Sequence, residues 1–263
     1  MSQEATMLRI NDISISFGGL QALSEININA DKNTVHGIIG PNGAGKTTLF
    51  NIITGMYKPD TGSIFMEEHD MTGIKPYQLV PLGIARTFQN IRIFHKMTVL
   101  ENVLIGQHVH TPTPVLSILV KGKKAQNAEK EAREKAMRAL EVMGLEDNAD
   151  EIVTNLPYGK QRLVEFARAL AAEPKIILLD EPAAGMNPTE KTNLLDIITK
   201  LRAQGYTFIL IDHDMKLVMN ICDKISVLDH GKVISQGKPE EVRNNPDVIS
   251  AYLGKGGGRN AGN

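Results

Sequence analysis

Two clusters of residues in this chain have the types and spacing to handle phosphate. The first is Gly40-Pro41-Asn42-Gly43-Ala44-Gly45-Lys46-Thr47, which fills every fixed position of the eight-residue phosphate-binding loop. Glycines let such a backbone curl until successive N–H groups face phosphate oxygens, and the helix that follows adds the partial positive charge of its N-terminus. In that arrangement the Lys46 ammonium reaches the β- and γ-phosphates and the Thr47 hydroxyl is a ligand for Mg²⁺, with Thr48 beside it in the first helical turn. The second cluster is Ile176-Ile177-Leu178-Leu179-Asp180-Glu181, an apolar run that ends in two carboxylates. A buried strand delivers its last residues to the C-terminal edge of a parallel sheet, where α/β proteins bind ligands. There Asp180 can hold the magnesium through water, and Glu181 can orient and deprotonate an attacking water. Two adjacent acids after a strand are often only a solvated turn. The phosphate loop in the same chain is what favours the catalytic reading.

The elements that must position these residues are legible from hydrophobic periodicity. Val35-His36-Gly37-Ile38-Ile39 runs into the glycine loop as a short strand of the kind found inside parallel sheets. After the loop, Leu49, Ile52, Ile53 and Met56 fall at i, i+3, i+4 and i+7, the stripe of a helix packed on a sheet. Upstream, Ile10, Ile13, Ile15 and Phe17, then Ile26 and Ile28, alternate as half-buried antiparallel strands do. Residues 126–143 predict an exposed helix with Glu131/Lys135 and Glu134/Arg138 pairs outside and Ala136, Leu140 and Met143 inside. It belongs to a helical section at about 90–160, and the breakers from Thr111 to Lys124 predict a mobile loop at its edge. From Lys175 onward, strands at 176–179, 208–211 and 225–228 alternate with helical segments. The expected architecture is one α/β domain over residues 1–253 with an antiparallel β subdomain and a helical subdomain. A flexible glycine-rich tail at 254–263 follows it.

Composition narrows the function classes. At 263 residues, with 42% hydrophobic and 22% charged residues, the chain has the makings of a well-buried core. A formal net charge of -1 supplies no field to draw in nucleic acid. No run approaches the ~20 apolar residues of a membrane-spanning helix; the nearest, Val115 to Val120, is far shorter. The start, Met1-Ser2-Gln3-Glu4, lacks the basic and then apolar pattern of a secretory leader, so the expected location is the cytoplasm. A single cysteine, Cys222, excludes an internal disulfide framework and reads as a small buried apolar residue. His36, His69, His95, His108, His110 and His230 show no metal-ligand spacing.

These two clusters, together with Thr87-Phe88-Gln89-Asn90, Leu156-Pro157-Tyr158-Gly159-Lys160-Gln161 and Asp212-His213-Asp214, stand in the order and spacing of ABC ATPases. The chain resembles that family over nearly its whole length. The resemblance implies a P-loop NTPase fold of the ABC type that hydrolyses ATP with Mg²⁺. It implies that Phe17 stacks on adenine, a contact worth ~1–3 kcal/mol, although core packing is the competing reading of that ring. Gln89 would contact the magnesium and the water and sense a membrane subunit, where a lone glutamine would otherwise be a surface residue. His213 would touch the γ-phosphate and clamp the water with Glu181. The segment from Leu156 resembles the family's signature LSGGQ, so Tyr158 and Gly159 would cap the γ-phosphate of ATP held by an opposite subunit. Two positions there depart from the family, Pro157 in place of serine and Tyr158 in place of glycine. Proline suits the first helical turn but has no donor, which leaves the Gly159 N–H and the helix terminus to bind the anion. A third departure is Asn187 where the family has aspartate; asparagine keeps an acceptor and turn-forming ability but loses charge.

Within the family, Tyr158-Gly159, the run Glu181-Pro182-Ala183-Ala184-Gly185-Met186-Asn187-Pro188, the segment Arg86-Thr87-Phe88-Gln89 and the ending Asn244 to Gly254 are similar to ATP-binding subunits of branched-chain amino-acid importers. The resemblance implies a second ABC ATPase subunit, identical or not, two transmembrane permease subunits and an extracytoplasmic substrate-binding protein as partners. It also places the chain on the inner face of the cell membrane as a peripheral subunit. Amides, urea and aromatic acids are alternative cargoes. A non-transport ABC ATPase acting on nucleic acid or ribosomes would carry two cassettes or long insertions, and copurification with membranes or with nucleic acid separates the two. No nucleic-acid partner is expected. A phosphate-loop kinase for small metabolites would lack both the signature segment and His213. Finally, Ile91, Ile93, Phe94 and Met97 crowd together after Gln89, which predicts either a docking surface for a membrane subunit or ordinary packing.

Overall fold

The structure is a computed structural model that describes residues 6–87, 89, 91–109 and 123–253. The predicted loop at 111–124 lies outside them up to residue 122, and the tail at 254–263 lies outside them entirely. The chain divides into two compact units, residues 1–79 with 201–263, and residues 80–200. The first unit contains β1 (Thr6–Phe17), β2 (Leu20–Asp31), β3 (Val35–Ile39), α1 (Lys46–Ile53), β4 (Thr61–Met66) and β5 (His69–Asp70). The second contains β6 (Ile84–Arg86), α2 (Val99–Leu104), α3 (Lys123–Met143), α4 (Tyr158–Ala171), β7 (Ile176–Asp180) and α5 (Pro188–Ala203). The chain then returns to the first with β8 (Thr207–Ile211), α6 (Met215–Ile221), β9 (Lys224–Asp229), β10 (Lys232–Gly237), α7 (Pro239–Arg243) and α8 (Pro246–Leu253).

In the first unit an antiparallel sheet of order β2-β1-β4-β5 is built from the alternating isoleucines. Ile10 faces Ile28, Ile13 faces Ile26 and Ile15 faces Leu23, and such β-branched and aliphatic cross-strand pairs each contribute roughly 0.2–1 kcal/mol. Ile10 and Ile13 are three residues apart yet both are buried, because the register shifts between them. Asp12 takes a left-handed conformation there, at φ 49°. Its N–H donates to the Asn27 side-chain oxygen at 3.0 Å and its carboxylate accepts from Asn27 Nδ2 at 2.8 Å. The bulge absorbs the extra residue and keeps the apolar set on one face.

The remaining strands of this unit run β10-β9-β3-β8, with β3 parallel to both β8 and β9 and β10 antiparallel at the edge. Every residue of β3 is buried, as its sequence predicts for an internal parallel strand. Cys222 is buried against it: a Cβ added to Gly37 would lie 2.8 Å from the Cys222 sulfur, and burial pushes that thiol's pKa up. The helix after the phosphate loop is shorter than its stripe suggested. α1 ends at Ile53, Thr54 Oγ1 donates back to the Phe50 carbonyl at 2.7 Å, and Gly55 turns left-handed at φ 69°. Met56 therefore falls outside the helix and is exposed, while Phe50 joins Leu49, Ile52 and Ile53 in the core.

In the second unit β6 pairs in parallel with β7, Ile84 facing Ile176 and Arg86 facing Leu178. α2, α3 and α4 pack on one another through Val99, Leu100 and Val103, Ala136, Leu140 and Met143, and Val164 and Ala167, all buried. The predicted inner stripe of α3 is the buried one. On its outer side Lys135 lies 3.6 Å from Glu131 and 2.8 Å from Glu173, and Glu134 pairs with Lys130 at 3.8 Å. α2 opens on a capping box in which Glu101 N–H donates to Thr98 Oγ1 at 3.1 Å and Thr98 N–H donates to the Glu101 carboxylate at 2.8 Å.

His36, within β3, is fully buried and shares a hydrogen bond with Ser226 Oγ at 2.9 Å. Burial, and then the nearby Lys224 charge, push its pKa down from 6.5 to about 3. The unfolded chain therefore binds a proton that the folded chain refuses. The stability this neutral imidazole permits is complete above pH 6.5 and is lost as the pH falls from there toward 3. Urea unfolding below pH 6.5 should show the parent losing stability more steeply than His36→Gln, by up to about 1.4 kcal/mol per pH unit. Parallel slopes for the two proteins would rule out this titration.

Candidate functional site

The phosphate loop leaves β3 at Gly40 and enters α1 at Lys46. Its inner side is anchored: Ala44 is buried, and its carbonyl accepts from Gly231 N–H at 3.1 Å in the turn between β9 and β10. Its outer arc is open: Thr47 is exposed, and Asn42 and Gly43 are exposed beside a cavity of about 920 Å³ that is also lined by Asp229, His230 and Ser250. Gly45 is the N-cap of α1 at φ 104°, and a Cβ there would meet the Leu23 side chain at 2.5 Å. Only glycine fits that position. No side chain caps α1, and the helix dipole gives its start a partial positive charge that favours an anion there. Lys46 folds back over the loop and donates to the carbonyls of Gly40 at 2.6 Å and Pro41 at 2.9 Å. Its ammonium is thereby held beside the helix terminus. Phe17, at the tip of the β1–β2 hairpin, is exposed and meets Tyr57 edge-on, with ring centroids 5.2 Å apart. The core-packing reading of Phe17 does not apply.

His213 follows β8 and is exposed. Beside it Asp212 is buried and accepts from Asp214 N–H at 2.8 Å, and Asp214 in turn N-caps α6 through the N–H groups of Lys216 and Leu217. His213 Nδ1 lies 3.9 Å from Asp212 Oδ1. The aspartates fix the turn and leave the imidazole projecting from it.

In the second unit, β7 delivers both carboxylates where the apolar run ends. Asp180 is nearly buried and accepts from Arg86 Nη2 at 3.0 Å. Glu181, the next residue, is left-handed at φ 47°, an unfavourable state for a residue with a side chain and one that concentrates at functional sites. Gln89 Nε2 donates to Glu181 Oε2 at 3.0 Å. Of the stretch Thr87-Phe88-Gln89-Asn90, Thr87 and Gln89 are described. The second unit thus brings Gln89 and Glu181 into direct contact. Tyr158 and Gly159 open α4, whose N-cap is Pro157, again without a side-chain cap. The proline sits just ahead of the first turn, where its missing donor costs the helix nothing. Asn187 and Glu190 form a reciprocal cap at the start of α5, Asn187 N–H to Glu190 Oε2 at 2.9 Å and Glu190 N–H to Asn187 Oδ1 at 3.0 Å. An uncharged acceptor serves this cap as well as aspartate would.

Comparison with known proteins decides the family. The ABC transporter family model matches residues 23–184. The chain belongs to the ABC transporter family. Its fold is that of the family's nucleotide-binding cassettes. An ATP-binding cassette of an ABC transporter solved in its ADP conformation is 38% identical with a TM-score of 0.83, covering 95% of this chain and 99% of that one. A second family model, described as a branched-chain amino acid ATP-binding cassette transporter, matches residues 232–257 of this ABC ATPase. The high-affinity branched-chain amino acid transport ATP-binding protein LivG of Salmonella typhimurium is 45% identical over 95% of this chain and 98% of its own. The corresponding BraF of Pseudomonas aeruginosa is 44% identical with the same coverage. Among the described residues no helix of this cassette is long and apolar enough to cross a membrane.

In the sequence Arg86 stands only as a mark of the family resemblance, with no task of its own. The available signal was an arginine directly after two apolar strand residues, since a charge in such a place is rarely left without a partner. Breaking a buried ion pair from one side strands the other charge, at a cost of about 3 kcal/mol. Arg86→Met should lose roughly that much stability in urea unfolding, and adding Asp180→Asn should restore most of it. Additive losses in the double variant would show that the pair is not coupled.

Proposed function

We propose that this ABC ATPase is the energising subunit of an importer for branched-chain amino acids. The observation that carries the hydrolytic part is the end of β7, where Glu181 stands left-handed with its carboxylate hydrogen-bonded by Gln89. A carboxylate so placed is suited to take a proton from water. In this reading the loop from Gly40 through Pro41, Asn42, Gly43, Ala44 and Gly45 to Thr47 and Thr48 wraps the ATP phosphates, and the Lys46 ammonium and the helix start bind them. Phe17, exposed at the hairpin tip, stacks on the adenine. In the first unit Thr47, and in the second Gln89 and Asp180, carry oxygen donors of the kind that suits a hard cation such as Mg²⁺. When bound, the ion neutralises charge on the β- and γ-phosphate oxygens. Glu181 orients the attacking water and takes its proton, Gln89 holds that carboxylate in place, and His213 contacts the γ-phosphate. Gly159, with Tyr158 beside it, acts on the nucleotide of a second cassette through the uncapped start of α4.

On this reading the domain spans residues 1–253 with a helical subdomain at about 90–160. The partners are a second ATPase subunit, two permease subunits and an extracytoplasmic binding protein, and the chain sits on the inner membrane face as a peripheral subunit. Branched-chain amino acids are the cargo named for relatives that match this chain end to end, and those names support the assignment. Hydrolysis by the reconstituted complex should be stimulated by binding protein loaded with leucine and not by urea or an amide. Glu181→Gln in that complex should still bind ATP yet hydrolyse it at least ~100-fold more slowly. Parental turnover in that variant would remove Glu181 from the role of base, and stimulation by urea in place of leucine would reassign the cargo.

The apolar loop after Gln89 supports docking on a membrane subunit. Ile93 is buried, but Phe94 is 47% exposed and Met97 is exposed beside it. Their loop is pinned by the buried Asn102, which accepts from Phe94 N–H at 2.8 Å and donates to the carbonyls of Phe94 at 3.2 Å and Thr98 at 2.9 Å. An exposed ring on a clamped loop is presented to a partner at small entropic cost. Phe94→Asp should leave the isolated chain folded and able to bind ATP while abolishing assembly with the permease subunits, because burying an unpaired charge costs a few kcal/mol. A lowered melting temperature with assembly retained, read by thermal melting and pull-down, would return Phe94 to ordinary packing.

A further inference from the structure

Three short segments meet through Arg162, in the second turn of α4, and the Tyr158 ring. This guanidinium is buried, and its Nη2 donates to two acceptors, the backbone carbonyl of Gln89 and the hydroxyl of Tyr158 at 3.2 Å. It also lies 5.6 Å from the centre of the Tyr158 ring, within cation–π range. The far edge of that ring fills the space beside Gly185: a Cβ there would come within 2.8 Å of Tyr158 Cε1. Gly185 closes the turn that begins at Glu181, in which Ala184 N–H donates to the Glu181 carbonyl at 3.1 Å. Tyr158 and Arg162 are one helical turn apart and therefore share a face of α4.

We propose that Arg162 is a positioning residue that ties the Gln89 segment to the start of α4 and, through the Tyr158 ring, to the turn behind Glu181. Arginine is suited to this because one planar fork can hold a carbonyl and a hydroxyl while its face lies against a ring. A displacement of the Gln89 main chain then pulls on Arg162, and the same displacement reaches Gly159 through the helix and Glu181 through Tyr158 and Gly185. The tyrosine that departs from the family signature is the connecting part: a glycine at 158 could neither receive the Arg162 hydrogen bond nor occupy the space at Gly185. Gly159 is held from a second side, since a Cβ on it would meet the Glu190 carboxylate at 2.2 Å. The inference rests on the roles proposed above for Gln89, Glu181 and Gly159, and assigns to Arg162 and Tyr158 the task of keeping those three in register.

The test is made on the complex reconstituted with its permease subunits. Arg162→Lys keeps the charge and removes the fork, and it should lower kcat about 10- to 100-fold while KM for ATP stays within about twofold. The isolated variant should bind ATP with parental affinity and melt at the parental temperature. Tyr158→Phe, which removes only the hydroxyl, should lower kcat less, and combined with Arg162→Lys it should add nothing further. A parental kcat in Arg162→Lys overturns the proposal, as do losses that multiply in the double variant. Loss of ATP affinity in step with a lowered melting temperature also overturns it, by marking a merely structural role. Glu181→Gln, assayed alongside, keeps the two readings apart. If it is inactive while Arg162→Lys is fully active, only the positioning role fails; if it remains active, the assignment of the base fails whatever Arg162 does.

Discussion

An anion site made of backbone N–H groups works only if nothing in the protein satisfies those groups first. The start of α1 is left uncapped by side chains: its N-cap is a glycine, and the outer arc of the loop is exposed. Leaving donors outward is tolerable at a surface, where water serves them, and the helix dipole then favours an arriving anion. The rest of the first unit serves to keep that arc from collapsing. β3 is buried along its whole length, α1 is held by Leu49, Phe50, Ile52 and Ile53, and the Ala44 carbonyl is tied to the turn after β9. Lys46 stays close to the anion site because two loop carbonyls occupy its ammonium. A site prepared in this way needs little rearrangement when a polyphosphate arrives, and that preorganisation is where its affinity originates.

The second unit solves a different problem, that of holding two carboxylates side by side with different surroundings. Asp180 is nearly buried and neutralised by Arg86, whereas Glu181 is turned out of the strand by a left-handed backbone and met by a neutral amide. Such a conformation costs of order 1 kcal/mol or more and persists only where neighbouring structure enforces it. Here β7 is buried at every residue and the following turn is closed by hydrogen bonds from Ala184 and Met186 N–H. The same neighbourhood therefore sets a carboxylate held by a fixed cation beside a half-buried one that accepts from an amide.

The departures from the family signature become intelligible together. Pro157 precedes the first turn of α4, where a missing donor has no consequence, and Asn187 caps α5 with an acceptor that does not need charge. Tyr158 is accommodated because the residue it meets at 185 is a glycine and because Arg162 is placed to receive its ring and hydroxyl. Asn187 is matched by Glu190 within the same cap, and Tyr158 by Arg162 one turn along its own helix and by Gly185 in another segment of the chain.

The residues proposed to handle phosphate are legible in the sequence because their chemistry is local. A strand, a glycine turn and a helix start must be contiguous to form the loop, and an apolar strand must end where Asp180 and Glu181 begin, so spacing alone identifies them. The buried stripe of α3 and the strands at the sheet centre were legible for the same reason, since burial on one face imposes a period. The bulge at Asp12 and the end of α1 before Met56 were not, because a side-chain bond from Asn27 and a left-handed glycine interrupt those periods. Only the tertiary structure gave Arg86 its partner and tied Arg162 to the carbonyl of Gln89. Both bonds join residues more than seventy positions apart. No periodicity or motif encodes such a pairing; the requirement that a buried cation find an acceptor does, and which acceptor it finds depends on how the strands and helices pack.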